Sequence, residues 1–319
     1  MVEWFLTSMS TIERAEIKDI SLKQKIPMSQ RPLLQRAAYY TSTDVISFIA
    51  GPFIRHWTET VDKGTSIEVA SDFDDKFAEA VENDCLIVYE ANHASTYDAE
   101  ALALVNDATK EATNAQETLL PMAKSQITGD QGFWNFVQYK STRKLLNKHH
   151  IRPIPTTTAR DQGSRNMDAN PKEYASNMKN GTKNGTPIAV LPEASVEGGR
   201  INPDTGKLNG MIAFDPNVLR MNYLLARRQG RVLAIEPVSI TNSNIVLDPN
   251  TKFPQRKALL AGFHHGDPHI VSIYIGAPIR SDRELAPYIK DHNWKGASDF
   301  IAREIARHLP KDQRGVYAS

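Results

Sequence analysis

The spacing of the hydrophobic positions divides the chain into two parts. Up to about residue 75, apolar groups recur at steps of three and four, as in the stretch from Leu34 to Ile49, which predicts amphipathic helices. Gly51 and Pro52 end that stretch. We therefore predict a small N-terminal helical domain over residues 1–75 and a larger domain over residues 76–319.

From residue 76 onward, short apolar runs without polar alternation predict buried strands. The clearest are Cys85–Tyr89, Ile151–Pro155, Pro187–Leu191, Val232–Ile240 and Ile270–Ile275. Helical periodicity fills the segments around 99–107, 133–147, 171–180 and 216–229, and a last helix carries Phe300, Ile301, Ile305 and Leu309. This alternation is typical of an α/β domain with a mixed, mostly parallel sheet covered by helices. In such domains ligands bind in the loops that follow the strands.

The composition excludes several classes of protein. The chain has 38 Lys and Arg against 37 Asp and Glu, and a net charge of +1 argues against a protein that coats nucleic acid. The single cysteine, Cys85, excludes an intramolecular disulfide and a cysteine-based zinc cluster, and indicates a reducing compartment. The longest apolar stretch, Val45 to Ile54, has about half of the ~20 residues that a membrane-spanning helix needs. We expect a soluble protein, with membrane contact at most peripheral.

A histidine and an aspartate follow the first predicted strand of the larger domain, in Asn92-His93-Ala-Ser-Thr-Tyr-Asp98. Histidine can take up a proton near neutral pH, and a carboxylate on its second nitrogen would stabilise the imidazolium. Five steps along an unbroken helix turn the side chains about 140° apart. The pair therefore meets only if His93 lies in the strand-to-helix turn and Asp98 in the first helical turn. The alternative is structural, because Ser95-Thr-Tyr-Asp98 also fits a capping box.

A second group of residues suits an anion. Glu197-Gly198-Gly199-Arg200 follows the predicted strand Pro187–Leu191, and Arg160 follows the strand at Ile151. Glycines let backbone amides approach a ligand, and the guanidinium fork suits phosphate. Taken singly, these features also fit an ordinary turn and an arginine in a solvated loop. Together with His93, they place a base and two arginines in three loops that follow strands.

These segments resemble the glycerolipid acyltransferase superfamily, whose hallmark is Asn-His-x-x-x-x-Asp followed by an acid-Gly-x-Arg block. The second block continues into Asn-Pro-Asp-Thr-Gly-Lys207 and Ala213-Phe214-Asp215, and is most similar to the soluble glycerol-3-phosphate acyltransferases of plastids. Pro121-Met-Ala-Lys124-Ser and Ala234-Ile-Glu-Pro237-Val are similar to further blocks of the family.

The chain also departs from the plastid pattern. Asn202 stands where those enzymes usually carry a second arginine, and Arg160-Asp161 stands where they have lysine and histidine. Pro192-Glu193 is similar to the Pro-Glu of the lysophosphatidate enzymes, but Ala-Ser-Val separates it from the Glu-Gly-Gly-Arg block. These differences concern the acceptor and the way in which its phosphate is bound.

The resemblance implies transfer of a fatty acyl group from acyl carrier protein or coenzyme A to a hydroxyl of glycerol 3-phosphate, the first step of phospholipid synthesis. His93 would be the general base and Asp98 would hold it. The residues implied in phosphate binding are Arg160, Gly198, Gly199 and Arg200, with Lys124, Glu197 and Lys207 as further contacts. The resemblance implies no metal, no cofactor other than the acyl donor and no nucleic-acid partner. The single cysteine and the lack of a long apolar stretch indicate a cytoplasmic location, or the plastid stroma if a transit peptide has been removed, with peripheral membrane contact left open.

Three alternatives stay open. Lysophosphatidate offers the same combination of a hydroxyl beside a phosphate and is the rival acceptor. A metal-dependent hydrolase could use His264, Asp267 and His269, because imidazoles and a carboxylate bind zinc. The third is a catalytically inactive phospholipid- or nucleotide-binding module, against which the presence of both His93 and Asp98 argues.

Overall fold

The computed structural model describes residues 64–94, 98–113, 115, 117–123, 146–147, 150–156, 171–193, 210–243 and 271–318. These residues form an eight-stranded sheet with helices packed on both of its faces. The sheet is mixed and mostly parallel, which confirms the predicted α/β class. Residues 1–63 of the predicted N-terminal helical domain lie outside the described residues.

The described elements have the following bounds. The strands are β1 (Ser66–Val69), β2 (Leu86–Ala91), β3 (Thr118–Ala123), β4 (Ile151–Thr156), β5 (Ile188–Val190), β6 (Leu233–Thr241), β7 (Ser272–Ile275) and β8 (Ile279–Arg280). The helices are α1 (Phe73–Glu82), α2 (Asp98–Thr113), α3 (Pro171–Gly181), α4 (Pro216–Arg228), α5 (Ala286–Lys290) and α6 (Trp294–Arg307). Short 3₁₀ turns span Thr182–Asn184, Lys311–Gln313 and Gly315–Tyr317.

The strand order is β1-β7-β6-β2-β5-β3-β4, and β8 also pairs with β6. β2 lies in the middle, parallel to β5 and β6, and β3 is parallel to β4 and β5. β7 and β8 run antiparallel to β6. The carboxyl ends of β2 through β6 therefore lie along one edge of the sheet, which we call the carboxyl edge. Open α/β sheets bind their ligands at this edge.

β2 explains why the strand runs lack polar alternation. All six of its residues are buried, because helices cover both faces of the sheet. Ile87 and Tyr89 pack with residues of α1 and α2 on one face. Leu86 and Val88 pack with residues of α3, α4 and α6 on the other. β2 is therefore held between the two hydrophobic cores, and the position of its last residue, Ala91, is fixed with it.

The sequence pattern is wrong at one margin of the sheet. It predicts helix up to about residue 75, but Ser66–Val69 forms the strand β1, which pairs with β7. All four residues of this edge strand are exposed, so no buried apolar run marks it. The sheet thus begins before position 76, where the sequence places the domain boundary. Most of the predicted helix over 133–147 lies outside the described residues.

None of the helices in the described part of the chain has the length and apolar character that crossing a membrane requires.

Candidate active site

Asn92 fixes the chain at the point where it leaves β2. Its Nδ2 donates to the carbonyl of Ile240 at 2.9 Å, and its Oδ1 accepts from the amide of Ile240 at 2.7 Å. Ile240 lies two positions beyond Val238, the β6 partner of Ala91 at the end of β2. The buried Asn92 side chain therefore continues the β2–β6 hydrogen bonding past the end of the strand. The next residue, His93, is held at the carboxyl edge as a result.

We expect Asn92→Ala to lower the free energy of unfolding by about 2–4 kcal/mol. The truncation leaves the amide and the carbonyl of Ile240 without the Asn92 side chain, and an unsatisfied buried polar group costs about 1–3 kcal/mol. Urea unfolding followed by circular dichroism measures the change. The matched control is Asn180→Ala on the exposed side of α3, which should stay within about 0.5 kcal/mol of wild type. An Asn92→Ala protein as stable as that control would contradict the expectation.

His93 and Asp98 meet at the start of α2. Nδ1 of His93 lies 3.0 Å from Oδ2 of Asp98, and α2 begins at Asp98 itself. This confirms the predicted condition that His93 lies in the turn and Asp98 in the first helical turn. The Asp98 side chain is fully buried, whereas 17% of the His93 side chain is exposed. When Nδ1–H donates to the carboxylate, Nε2 is the unprotonated nitrogen that can accept a proton from a bound molecule.

Glu193, which follows β5, contacts the same turn. Its Oε1 accepts the amide N–H of His93 at 3.0 Å, and its Oε2 accepts the amide N–H of Ile212 at 3.2 Å. Burial, helped by the nearby charge of Asp98, raises the pKa of Glu193 to about 8 although the two amide donors lower it. A carboxyl group that titrates near neutral pH therefore lies directly behind His93.

All seven of the predicted anion-binding residues lie outside the described residues. They are Lys124, Arg160, Glu197, Gly198, Gly199, Arg200 and Lys207. Glu193, the residue before segment 194–209, nevertheless contacts both His93 and Ile212, which lies three residues after that segment. β3 ends one residue before Lys124 and β4 ends four residues before Arg160, both at the carboxyl edge. The strands that precede Lys124 and Arg160 in the sequence thus end at the edge that carries His93.

The C-terminal turns support this region in a way that the sequence did not predict. Met211 donates its amide to the carbonyl of Gln313 at 3.0 Å, and Val316 donates to the carbonyl of Met211 at 3.0 Å. Gln313 also pairs with Asn242, which follows β6. Gly210 has φ +65°, and a Cβ there would lie 2.3 Å from the amide nitrogen of Gly315, so only glycine fits this approach. Contacts between residues about a hundred positions apart carry no local sequence signal.

Two further carboxyl groups are buried inside the sheet. Glu90 on β2 and Glu236 on β6 are fully buried, and neither has a hydrogen-bond partner among the described residues. Desolvation raises the pKa of Glu90 to about 8 and that of Glu236 well above its ordinary value. Glu236 is paired in register with Tyr89, and Glu90 with Pro237, so the two carboxyl groups point to opposite faces. The sequence patterns did not predict that these two acids are buried.

The candidate metal-binding residues His264, Asp267 and His269 lie outside the described residues. Within the described ranges, no group of three or more His, Cys, Asp or Glu side chains is placed to hold a metal ion.

The arrangement around His93 is suited to proton transfer. A partly exposed imidazole, backed by a buried carboxylate, stands at the edge of the sheet where ligands bind. No protein-family model matches the chain, and no curated protein matches it at a significant level. The chemistry of this edge is therefore the basis for a functional proposal.

Proposed function

We propose that the protein transfers a fatty acyl group from a thioester, on acyl carrier protein or coenzyme A, to a hydroxyl of glycerol 3-phosphate. The main support is the 3.0 Å contact between Nδ1 of His93 and Oδ2 of Asp98 at the carboxyl edge. The two residues occupy the His and Asp positions of Asn-His-x-x-x-x-Asp, the motif that resembles the glycerolipid acyltransferases. The contact supplies the geometry that this motif needs for general-base catalysis.

In the proposed reaction, Nε2 of His93 takes the proton of the acceptor hydroxyl while its oxygen attacks the thioester carbonyl. Asp98 stabilises the imidazolium that forms, as a buried carboxylate does in a catalytic triad. The tetrahedral intermediate then expels the thiolate, which receives the proton back from His93. A general base of this kind contributes about 10²–10⁴ to the rate.

Direct transfer fits the surroundings of Cys85 better than a covalent acyl-enzyme does. Cys85 is 2% exposed and precedes β2, at the opposite end of the strand from His93. Burial raises the pKa of its thiol, which makes the reactive thiolate scarce. The acceptor oxygen is therefore the nucleophile in this proposal.

Phosphate binding is assigned to the loops that leave the carboxyl edge. Gly198, Gly199 and Arg200 follow Glu193, which contacts His93, and Arg160 follows β4. Glu197 and Lys207 are further candidates close to Arg200 in the sequence, and Lys124 is a further candidate directly after β3. These residues would orient the acceptor so that its hydroxyl faces His93, a contribution of position rather than of chemistry.

An activity matrix tests the reaction and its acceptor. The purified protein is supplied with labelled acyl-coenzyme A or acyl-acyl carrier protein, and with glycerol 3-phosphate or lysophosphatidate. We expect label on glycerol 3-phosphate. Turnover of lysophosphatidate alone would overturn the acceptor, and transfer from neither thioester would overturn the reaction class. Stoichiometric zinc in the purified protein would instead support a metal-dependent hydrolase.

Arg200→Ala is expected to raise the KM for glycerol 3-phosphate about 10- to 100-fold, with a smaller effect on kcat. A charge-assisted hydrogen bond contributes about 1.5–3 kcal/mol, and each 1.4 kcal/mol corresponds to a factor of ten. Initial rates over a range of acceptor concentrations separate the two constants. The matched control is Arg228→Ala at the exposed C-terminal end of α4. Equal KM values for the two variants would show that Arg200 does not bind the phosphate.

A further inference from the structure

Glu193 joins two segments that are far apart in the sequence. One carboxylate oxygen accepts the amide of His93, 100 positions before Glu193, and the other accepts the amide of Ile212, 19 positions after it. The side chain is 6% exposed, so water does not compete freely for these bonds. The first amide belongs to the turn that carries the imidazole, and the second follows the segment 194–209.

We propose that Glu193 is a positioning residue whose ionised carboxylate sets the distance between the main chain at His93 and the main chain at Ile212. This inference rests on the proposed function, because it gives that distance a role in bringing the acceptor to the general base. The residue acts through the main chain of His93 and does not touch the imidazole in the described contacts.

The two hydrogen bonds require the ionised form of Glu193. A carboxylate is an acceptor at both oxygens, whereas a protonated carboxyl group carries a hydrogen on one of them. Protonation therefore places an O–H opposite one of the two N–H donors, so that the hydrogen bond to the amide of either His93 or Ile212 is lost. The ionisable groups that face Glu193 among the described residues are Asp98 at the start of α2 and Tyr317 in the C-terminal turn. Burial opposes ionisation and, with a smaller contribution from the charge of Asp98, places the pKa of Glu193 at about 8.

The contact can be tested without any substrate. In wild-type protein we expect the amide ¹H signals of His93 and Ile212 to titrate together, with a midpoint near the Glu193 pKa of about 8. In Glu193→Gln both signals should move upfield and lose this titration, because the charge-assisted bonds are gone. The matched control, Glu68→Gln on the exposed strand β1, should leave both signals unchanged. The inference would be overturned if the amide signals of His93 and Ile212 did not change with pH in the wild-type protein. This result does not depend on whether the variant folds.

The kinetic consequence is measured separately. Above about pH 8, where wild-type Glu193 is ionised, we expect Glu193→Gln to lower kcat about 10- to 100-fold, because small misplacements of a catalytic group cost factors of this size. The wild-type rate should rise as the pH increases through about 8. The rate of the variant should not show this rise. A loss of folded protein would lower the rate without changing the shape of the pH profile. An unchanged profile would overturn the positioning role, whereas a wild type that titrates as expected but transfers no acyl group would overturn the proposed function alone.

Discussion

His93→Ala is expected to abolish acyl transfer while leaving the protein folded. The substitution removes the nitrogen that accepts the hydroxyl proton, so the rate should fall by at least about 10²–10⁴. The side chain is partly exposed, and its removal opens no cavity in either hydrophobic core. The buried carboxylate of Asp98 loses one hydrogen-bond partner, at a cost of about 1–3 kcal/mol. That cost is below the usual stability of a folded domain, about 5–15 kcal/mol.

Transfer of labelled acyl groups to glycerol 3-phosphate measures the loss, and circular dichroism with thermal melting measures the fold. The matched control is His292→Asn, in an exposed turn where the backbone has φ +54° and asparagine is tolerated. We expect the control to retain wild-type activity. Full activity in His93→Ala would refute the assignment of His93 as the general base, and with it the proposed mechanism.

The sequence predicts the centre of the sheet better than its margins. β2, β4, β5, β6 and β7 each lie within one or two residues of a predicted apolar run. The runs are clearest in β2, β5 and β6, because both faces of these strands are covered. β1 is exposed along its whole length, and β8 has two residues, so neither produces such a run. β3 contains Pro121 and was quoted for its resemblance to a family block rather than predicted as a strand. Strand pairing at the edges depends on neighbours that local periodicity does not encode.

In the candidate site, too, the sequence predicts the contact between neighbouring residues and misses the contact between distant ones. His93 and Asp98 are five positions apart, so the geometry of one strand and one helix is enough to predict their meeting. Glu193 was noted only as part of a Pro-Glu resemblance. Its contact with His93 depends on β5 lying beside β2, which no motif states. The phosphate-binding assignments to Arg160 and Arg200 stay predictions, since these residues lie outside the described part of the chain.

The buried acids give the sheet an unusual electrostatic character. Glu90, Glu193 and Glu236 all have a pKa raised by burial, and Glu90 and Glu236 have no hydrogen-bond partner among the described residues. In the folded protein these groups hold protons that the unfolded chain releases near pH 4.5, the ordinary glutamate value. The folded state therefore binds more protons than the unfolded state between about pH 4.5 and about pH 8. By linkage, a rise in pH across this window disfavours folding.

We therefore expect the free energy of unfolding to fall as the pH rises from about 4.5 to about 8, by about 1.4 kcal/mol per pH unit for each such carboxyl group. Glu90→Gln replaces one of them with a neutral side chain of similar shape, so the slope should decrease by about this amount. The variant should match wild type most closely at the acid end and exceed its stability at pH 8. Urea unfolding at a series of pH values measures both slopes, with the exposed Glu82→Gln of α1 as the control. If Glu90→Gln and Glu82→Gln gave the same slope, Glu90 would be ionised in the folded protein throughout this range and would require a cationic or hydrogen-bonding partner.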